Sequence, residues 1–458
     1  MAENLTPLPP PLSGGNVPPP LIRGGREGLN VGIIGGGYAG MAAAVTLAER
    51  GIPVTVFESA KQLGGRARGV QYNNTQLDNG QHILLGCYRQ TLKLIEQVCG
   101  NIEQDFLRLP LQLTLHNRFE LKAPALPAPL HLLAGLLTAR GLSFTQRLSA
   151  ARFMLAMRSI NFTLPQDITA LELLRAHNQG EECVRLLWEP ICIAALNTPV
   201  HKASAQVLLN VLRDSLNSAR ADSDILLPRI NFSALFPERA ARYVKKRNGA
   251  VLTSCAVEAL IAHEGEIELR TARGSMHFSH IICAASPATA ARLFRAVPQF
   301  EPIAAQIEAL TFQPIYTVYL QYPEQVRLPH TMLGFDRCFA QWLFDKGQIA
   351  GQHGLIAAVI SAEGLHQELE QERLAQKVVQ ELHEQLGITE APLWHQVIAE
   401  KRATFSCEPN LTRPGHTTPL DNVLLAGDYT AGDYPATLEG AVMSGARCAN
   451  LILSGDAE

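Results

Sequence analysis

An α/β fold, in which a parallel nucleotide-binding sheet is gathered from separated stretches around an inserted α+β domain, is predicted by three observations. Residues 31–57 read as strand, glycine turn, helix and strand, one short βαβ unit. Two later apolar runs, at residues 280–284 and 422–426, have the length and composition of further buried strands. Between these three places the chain changes character, to apolar helices and alternating strands that carry no nucleotide motif.

The elements follow in order. Val31–Ile34 is a β-branched run ending in glycines, residues 39–50 form an alanine-rich helix stopped by Gly51, and residues 53–57 form a second strand closed by Glu58. Residues 106–121 read as strand pairs, and residues 126–137, 148–157 and 168–187 as apolar helices. A helix at 237–246, a strand at 251–257, a strand pair at 267–270 and 276–278, and the strand 280–284 ending at Ser286-Pro287 return the chain to the first layer. Strands at 317–321, 340–344 and Leu355–Ser361 and a long amphipathic helix at 365–386 form a second excursion. The strand 422–426, a loop at 427–437 and a helix at 438–452 complete the sheet. The nucleotide-binding domain is thus expected in segments 30–100, 237–300 and 416–458. A mostly helical insertion spans 101–236, and its second part spans 301–415. Residues 1–29 form a proline- and glycine-rich leader without either period.

The 458 residues allow two or three structural units with large cores. Hydrophobic residues make up 47% and charged ones 18%, which excludes a disordered chain. With 39 Lys plus Arg against 42 Asp plus Glu, the net charge is -3, and no global positive field draws nucleic acid. Nine cysteines without a C-x-x-C pair are expected to be reduced thiols in a cytosolic protein, and no apolar stretch is long enough to span a bilayer. No zinc-type spacing and no Gly-x-Ser-x-Gly elbow appears, so no metal is expected and a hydrolase reading lacks support.

Gly35-Gly36-Gly37-Tyr38-Ala39-Gly40 fits G-x-G-x-x-G. Gly35 permits the tight turn, Gly37 lets backbone approach a pyrophosphate, and Gly40 lets helix pack on strand, while the helix N-terminus offers free N–H groups to the anion. Glu58 ends the second strand, where a carboxylate can accept both ribose hydroxyls. This is the Rossmann-like fingerprint, shared by NAD and FAD. Leu63-Gly64-Gly65-Arg66-Ala67-Arg68 favours FAD: two glycines allow close approach and Arg66 can pair with phosphate. At the exit of the last strand Gly427-Asp428 offers a carboxylate for a ribityl hydroxyl, and the helix opening at Leu438-Glu439 aims its N-terminus at the flavin end.

These three elements resemble the flavin amine oxidase and phytoene desaturase superfamily. A narrower resemblance lies in Leu77-Asp78-Asn79-Gly80-Gln81-His82, in the segment from Trp188-Glu189-Pro190 to Asn197-Thr198-Pro199, in Leu212-Arg213-Asp214-Ser215-Leu216 and in Tyr434-Pro435-Ala436-Thr437-Leu438-Glu439-Gly440-Ala441. These segments are similar to the squalene-associated FAD-dependent desaturases, the hydroxysqualene dehydroxylases of bacterial hopanoid pathways. The resemblance implies an amine oxidase-like fold, FAD as cofactor, hydroxysqualene as substrate and squalene as product. The implied FAD contacts are Gly35, Gly37, Tyr38, Ala39, Gly40, Glu58, Gly64, Gly65, Arg66, Gly80, Gln81, His82, Val257, Gly427, Asp428, Leu438 and Glu439.

His82 titrates near working pH and Asp78 can orient it, so the two are the candidate acid pair, with backbone anchoring as the competing explanation. With one dinucleotide fingerprint in the chain, electrons are expected from an external donor or from the substrate. The weakly charged helix at 126–137 is the expected membrane contact, held by apolar area, on the cytoplasmic face of the inner membrane near squalene-pathway enzymes. Alternative readings are a carotenoid desaturase, an amine oxidase and a non-catalytic isoprenoid-binding flavoprotein. Direction of hydride flow is not encoded in such a fold.

Overall fold

The computed structural model describes residues 28–216 and 219–455, so the leader expected at residues 1–29 lies outside them except for its last two positions. A five-stranded parallel sheet runs in the order Ala250–Leu252, β2 (Val54–Phe57), β1 (Val31–Ile34), His280–Cys283 and Val423–Leu425. Parallel strands covered on both faces read as unbroken apolar runs, and all four residues of β1 are buried. Val31 stands opposite both Val54 and His280, so a near and a distant stretch of chain flank one central strand. Helix α1 (Tyr38–Glu49) packs on this sheet and against the C-terminal helix Leu438–Ser454, which also touches the sheet. The alanines of α1 allow that close packing. A Cβ on Gly445 would stand 1.9 Å from the Ala39 carbonyl oxygen, so the two helices meet backbone to side-chainless backbone.

The second layer is a seven-stranded sheet in the order Trp394–Phe405, Phe312–Gln321, Leu355–Ser361, Trp342–Asp345, Met332–Gly334, Gln112–Leu115 and Phe119–Lys122. Strands from both insertions therefore pair in one sheet. Leu374, Val378 and Leu382, spaced four apart on helix Gln371–Leu386, pack with Val318 and Ile356 of that sheet in one apolar cluster. Helices α2 (Arg89–Cys99), α3 (Leu130–Thr138) and α4 (Phe144–Ser159) complete the parts that bear on function.

Three expectations need correction. The strand expected at 251–257 is two: Ala250–Leu252 joins the parallel sheet, and Val257–His263 joins an antiparallel sheet with Glu266–Thr271 and Gly274–Phe278. Ser254 at φ 49 turns the chain between them, and the Cys255 N–H donates to the Glu58 carbonyl, a turn that alternation of apolar residues cannot reveal. The helix expected at 168–187 breaks after Ala170–Ala176, where Asn178 adopts φ 55; the chain resumes at Glu181–Cys183 and passes through a wide π turn at Val184–Trp188. The helix expected at 365–386 begins as a short 3-10 turn, Leu365–Glu368, and turns α-helical at Gln371.

Candidate active site

A cavity of about 880 Å³ begins at the C-terminal ends of the parallel strands, the usual place for a ligand in such a sheet. Gly35, Gly37, Tyr38, Ala39, Glu58, Gly64, Gly65, Arg66, Val257, Gly427 and Asp428 line it, and so do Gly80, Gln81, His82 and Leu438. The glycines of the first turn differ in why they are needed. A Cβ on Gly35, at φ +109, would strike the Ala284 carbonyl oxygen at 2.5 Å, and one on Gly40 would strike the Gly35 oxygen at 2.0 Å. Those two serve the protein's own packing. A Cβ on Gly37 would meet nothing nearer than the Gly65 Cα at 3.9 Å, so the protein leaves open the space that a side chain would fill. Gly37 also caps α1 without a side-chain acceptor, which leaves the first N–H groups of that helix for an anion.

The second glycine loop docks on the first through the Gly64 N–H, which donates to the Gly36 carbonyl at 3.0 Å. Glu58 is buried; its Oε2 accepts from the Gly36 N–H at 2.8 Å and its Oε1 from the Ala60 N–H at 2.7 Å and the Ser59 hydroxyl at 3.2 Å. Two carboxylate oxygens offer about four acceptor sites, which leaves one, enough for one of the two ribose hydroxyls expected there. Arg66 was expected to reach phosphate. It is paired with Asp428 and donates to the Ala403 carbonyl at 2.7 Å, so the two expected cofactor ligands also hold each other.

In the Asp78-to-His82 turn, His82 Nδ1 lies 2.8 Å from the Gly80 carbonyl oxygen. A carbonyl only accepts, so Nδ1 carries the proton and Nε2 is the nitrogen left uncommitted. Burial holds the His82 pKa below its ordinary value, the Gly80 bond opposes this, and Arg66 adds to the depression. Asp78 does not orient His82. Its Oδ1 accepts from the Phe232 N–H at 2.9 Å, and burial raises its pKa to about 6 against the opposing pull of Lys346 and Phe232. The buried Lys346 ammonium donates to Gln81 Oε1 at 3.3 Å, and the Gln81 N–H to Thr317 Oγ1 at 3.3 Å, which fixes the turn.

Glu439 also departs from expectation. Its carboxylate accepts from the Gln90 and Thr91 N–H groups, each at 2.9 Å, and from the Thr91 hydroxyl at 2.6 Å, so it caps α2 and is no wall of the cavity. Leu438 beside it does line the cavity. Beyond the turn the walls become apolar, with Leu113, Leu121, Leu132, Leu136, Met154 and Met332 at the far end.

A family model described as Flavin containing amine oxidoreductase matches residues 38–453. The chain belongs to that family. It is 27% identical to hydroxysqualene dehydroxylase of Sinorhizobium fredii over 93% of this chain and 98% of that one. It is 29% identical to hydroxysqualene dehydroxylase of Rhodopseudomonas palustris, again over 93% and 98%. Zeta-carotene desaturase of Solanum lycopersicum is more distant, at 23% over 91% of this chain and 79% of that protein. Among solved structures, an oxidoreductase from Methanosarcina mazei superposes with a TM-score of 0.72 at 15% identity, covering 93% of this chain and 100% of that one. Cyclohexylamine oxidase from Brevibacterium oxydans gives 0.68 at 18%, covering 93% and 99%. The fold is that of the flavin amine oxidoreductases.

As a member of this family the protein is an FAD-dependent oxidoreductase, and the residues present fit the cofactor: an open space at Gly37, an uncapped helix N-terminus and a carboxylate with spare acceptor capacity. Sequence reasoning missed two further groups that line the cavity. Ser286-Pro287, read as a strand end, opens the helix Pro287–Arg295, whose Arg292 lines the cavity and donates to the Val257 carbonyl at 3.3 Å. A capping serine followed by proline at the first helical position was the available signal. Tyr434 and Asp214, noted only as parts of separate motifs, meet through a 2.9 Å hydrogen bond from the phenol to Asp214 Oδ2 on the cavity wall. Nothing in a single sequence announces that pair.

Proposed function

We propose that this flavoenzyme reductively removes the hydroxyl group of hydroxysqualene to give squalene. The observation that carries the reading is the continuity of the cavity, whose walls run from the glycine turns to leucine and methionine side chains. One space can therefore hold a flavin and a long hydrocarbon together. The substrate is taken from the relatives named hydroxysqualene dehydroxylase, which stand at 26–29% identity against 22–23% for the zeta-carotene desaturases.

Reduced FAD, when bound, supplies a hydride equivalent. The carbinol carbon is allylic, so protonation of its oxygen lets the C–O electron pair leave with water, and the carbon then takes the hydride. The apolar walls keep solvent from capturing the cation. His82 is the proposed proton donor through Nε2, because Nδ1 is committed to Gly80. Its lowered pKa makes the imidazolium a stronger acid and a scarcer one at neutral pH. Gly80, and not Asp78, holds the ring. Two electrons per turnover come from an external donor. An isoprenoid of this length partitions into lipid, so the reading includes work at the cytoplasmic face of a membrane beside squalene-pathway enzymes. Among the described residues no helix is long and apolar enough to cross one.

Anaerobic incubation of the chemically reduced protein with hydroxysqualene, followed by product analysis, tests the proposal. Squalene is expected. Untouched hydroxysqualene, alongside desaturation of a carotenoid precursor by the oxidised protein, would move the assignment to the desaturases.

A further inference from the structure

Of the nine large apolar side chains exposed among the described residues, six fall within residues 126–160: Leu126, Leu130, Leu137, Phe144, Leu155 and Ile160. Phe144 is 65% exposed and Leu130 54%. They sit on or beside α3 and α4, which pack against each other, and the same two helices send Leu132, Leu136 and Met154 inward to the apolar end of the cavity. One hairpin thus has one face toward the hydrocarbon end of the site and the other toward solvent. Charge is distributed unusually here. Residues 123–166 contain Arg140, Arg147, Arg152 and Arg158 and no Asp or Glu, in a chain whose net charge is -3. Arg140 faces Glu120 at 3.6 Å and Arg147 donates to the Leu137 carbonyl at 2.9 Å, whereas Arg152 and Arg158 are exposed on α4 and take part in no ion pair among the described residues.

We propose that the α3–α4 hairpin is the docking surface for an anionic lipid bilayer, with Leu130, Phe144 and Leu155 entering the acyl boundary and Arg152 and Arg158 meeting lipid phosphates. The inference rests on the isoprenoid reading for its purpose and on this hairpin alone for its evidence. It also departs from a contact held by apolar area only. The hairpin's own residues supply arginines and no carboxylate, and the neighbouring Glu120 and Glu182 meet it at Arg140 and Gln146, not at Arg152 or Arg158; such an apolar patch suits a negative surface, and each arginine near one strengthens binding about fivefold. A mouth at the bilayer lets a hydrocarbon pass from lipid to cavity without crossing water.

The test is sedimentation of the full-length, FAD-loaded protein with vesicles of phosphatidylcholine alone or mixed with phosphatidylglycerol. Wild type is expected to bind the mixed vesicles more tightly, with a preference that fades as salt rises. Arg152→Glu with Arg158→Glu is expected to lower partition into mixed vesicles by about tenfold or more while leaving turnover of detergent-dispersed hydroxysqualene unchanged. Phe144→Ser with Leu155→Ser is expected to weaken binding to both vesicle types. Equal partition of wild type into both, an unchanged charge variant, or self-association through this face in sedimentation velocity that the serine variants abolish would each overturn the proposal. Vesicle binding without conversion of hydroxysqualene would leave the docking surface standing and sink the substrate assignment instead.

Discussion

The guanidinium of Arg66 pairs with the carboxylate of Asp428 across 362 residues of chain, tying the loop after β2 to the loop after the last strand of the parallel sheet. Both residues line the cavity, so this bond fixes the spacing of two walls of the cofactor end. Breaking a fully buried pair costs about 3–5 kcal/mol. The Arg66 side chain keeps 31% exposure and recovers water, so Asp428→Ala is expected to cost less, about 1–3 kcal/mol in urea unfolding of the apoprotein. A larger loss in the FAD-loaded protein would show that the carboxylate also serves the cofactor.

Gly37 and Gly40 separate binding from folding. Gly37→Val places its Cβ no nearer than 3.9 Å to any protein atom beyond its chain neighbours, so the variant is expected to fold, with an unchanged circular dichroism spectrum, and to purify without flavin absorbance. Gly40→Ala collides with the Gly35 carbonyl and is expected to lower stability whether or not FAD is present. A yellow Gly37→Val protein would move the phosphate site elsewhere.

The pH dependence of turnover follows from His82. If its imidazolium is the acid, kcat/KM is highest at low pH and falls as pH rises through a pKa below the ordinary histidine value of about 6.5, because burial favours the neutral ring. His82→Ala is expected to lose about 10² to 10⁴ in rate and to flatten that limb while keeping FAD. An unchanged profile in the variant would take the ring out of the chemistry.

Asp78 gives a stability signature of opposite origin. Its folded pKa of about 6 lies above the ordinary carboxylate value of 3.8, so its contribution is fully present at low pH and is lost as pH rises from about 4 through about 6. Asp78→Asn keeps an acceptor for the Phe232 N–H and is expected to remove that slope, read from urea midpoints at intervals across this range. A slope that persists would assign it to another carboxylate.

The cofactor end was largely legible in the sequence because it is local. Gly35, Gly37 and Gly40 are fixed by sharp backbone demands within one turn, and Glu58 follows at the end of the next strand. What the sequence concealed is what depends on distant partners. Asp78 and His82 stand four residues apart and look like a dyad, yet Phe232 and Gly80 claim them separately. Glu439 opens a helix aimed at the cofactor, yet its carboxylate turns to α2, which sequence patterning had not placed. The strand Trp394–Phe405 is equally hidden in the sequence, since the consecutive charges Glu400, Lys401 and Arg402 break the apolar alternation.

The apolar end makes its own prediction. Leu136→Trp adds bulk where hydrocarbon is expected and should raise KM for hydroxysqualene by about tenfold or more without changing flavin content, since Leu136 lies on α3, away from the glycine turns. An unchanged KM would place the isoprenoid elsewhere in the cavity.

The most direct test of the central claim is a single turnover in deuterium oxide. The FAD-loaded protein is reduced there with dithionite, mixed with hydroxysqualene without oxygen, and followed by flavin absorbance and product mass. Dehydroxylation predicts flavin reoxidation in step with squalene that carries one deuterium at the carbon that bore the hydroxyl. Flavin that stays reduced while hydroxysqualene is recovered intact would contradict it.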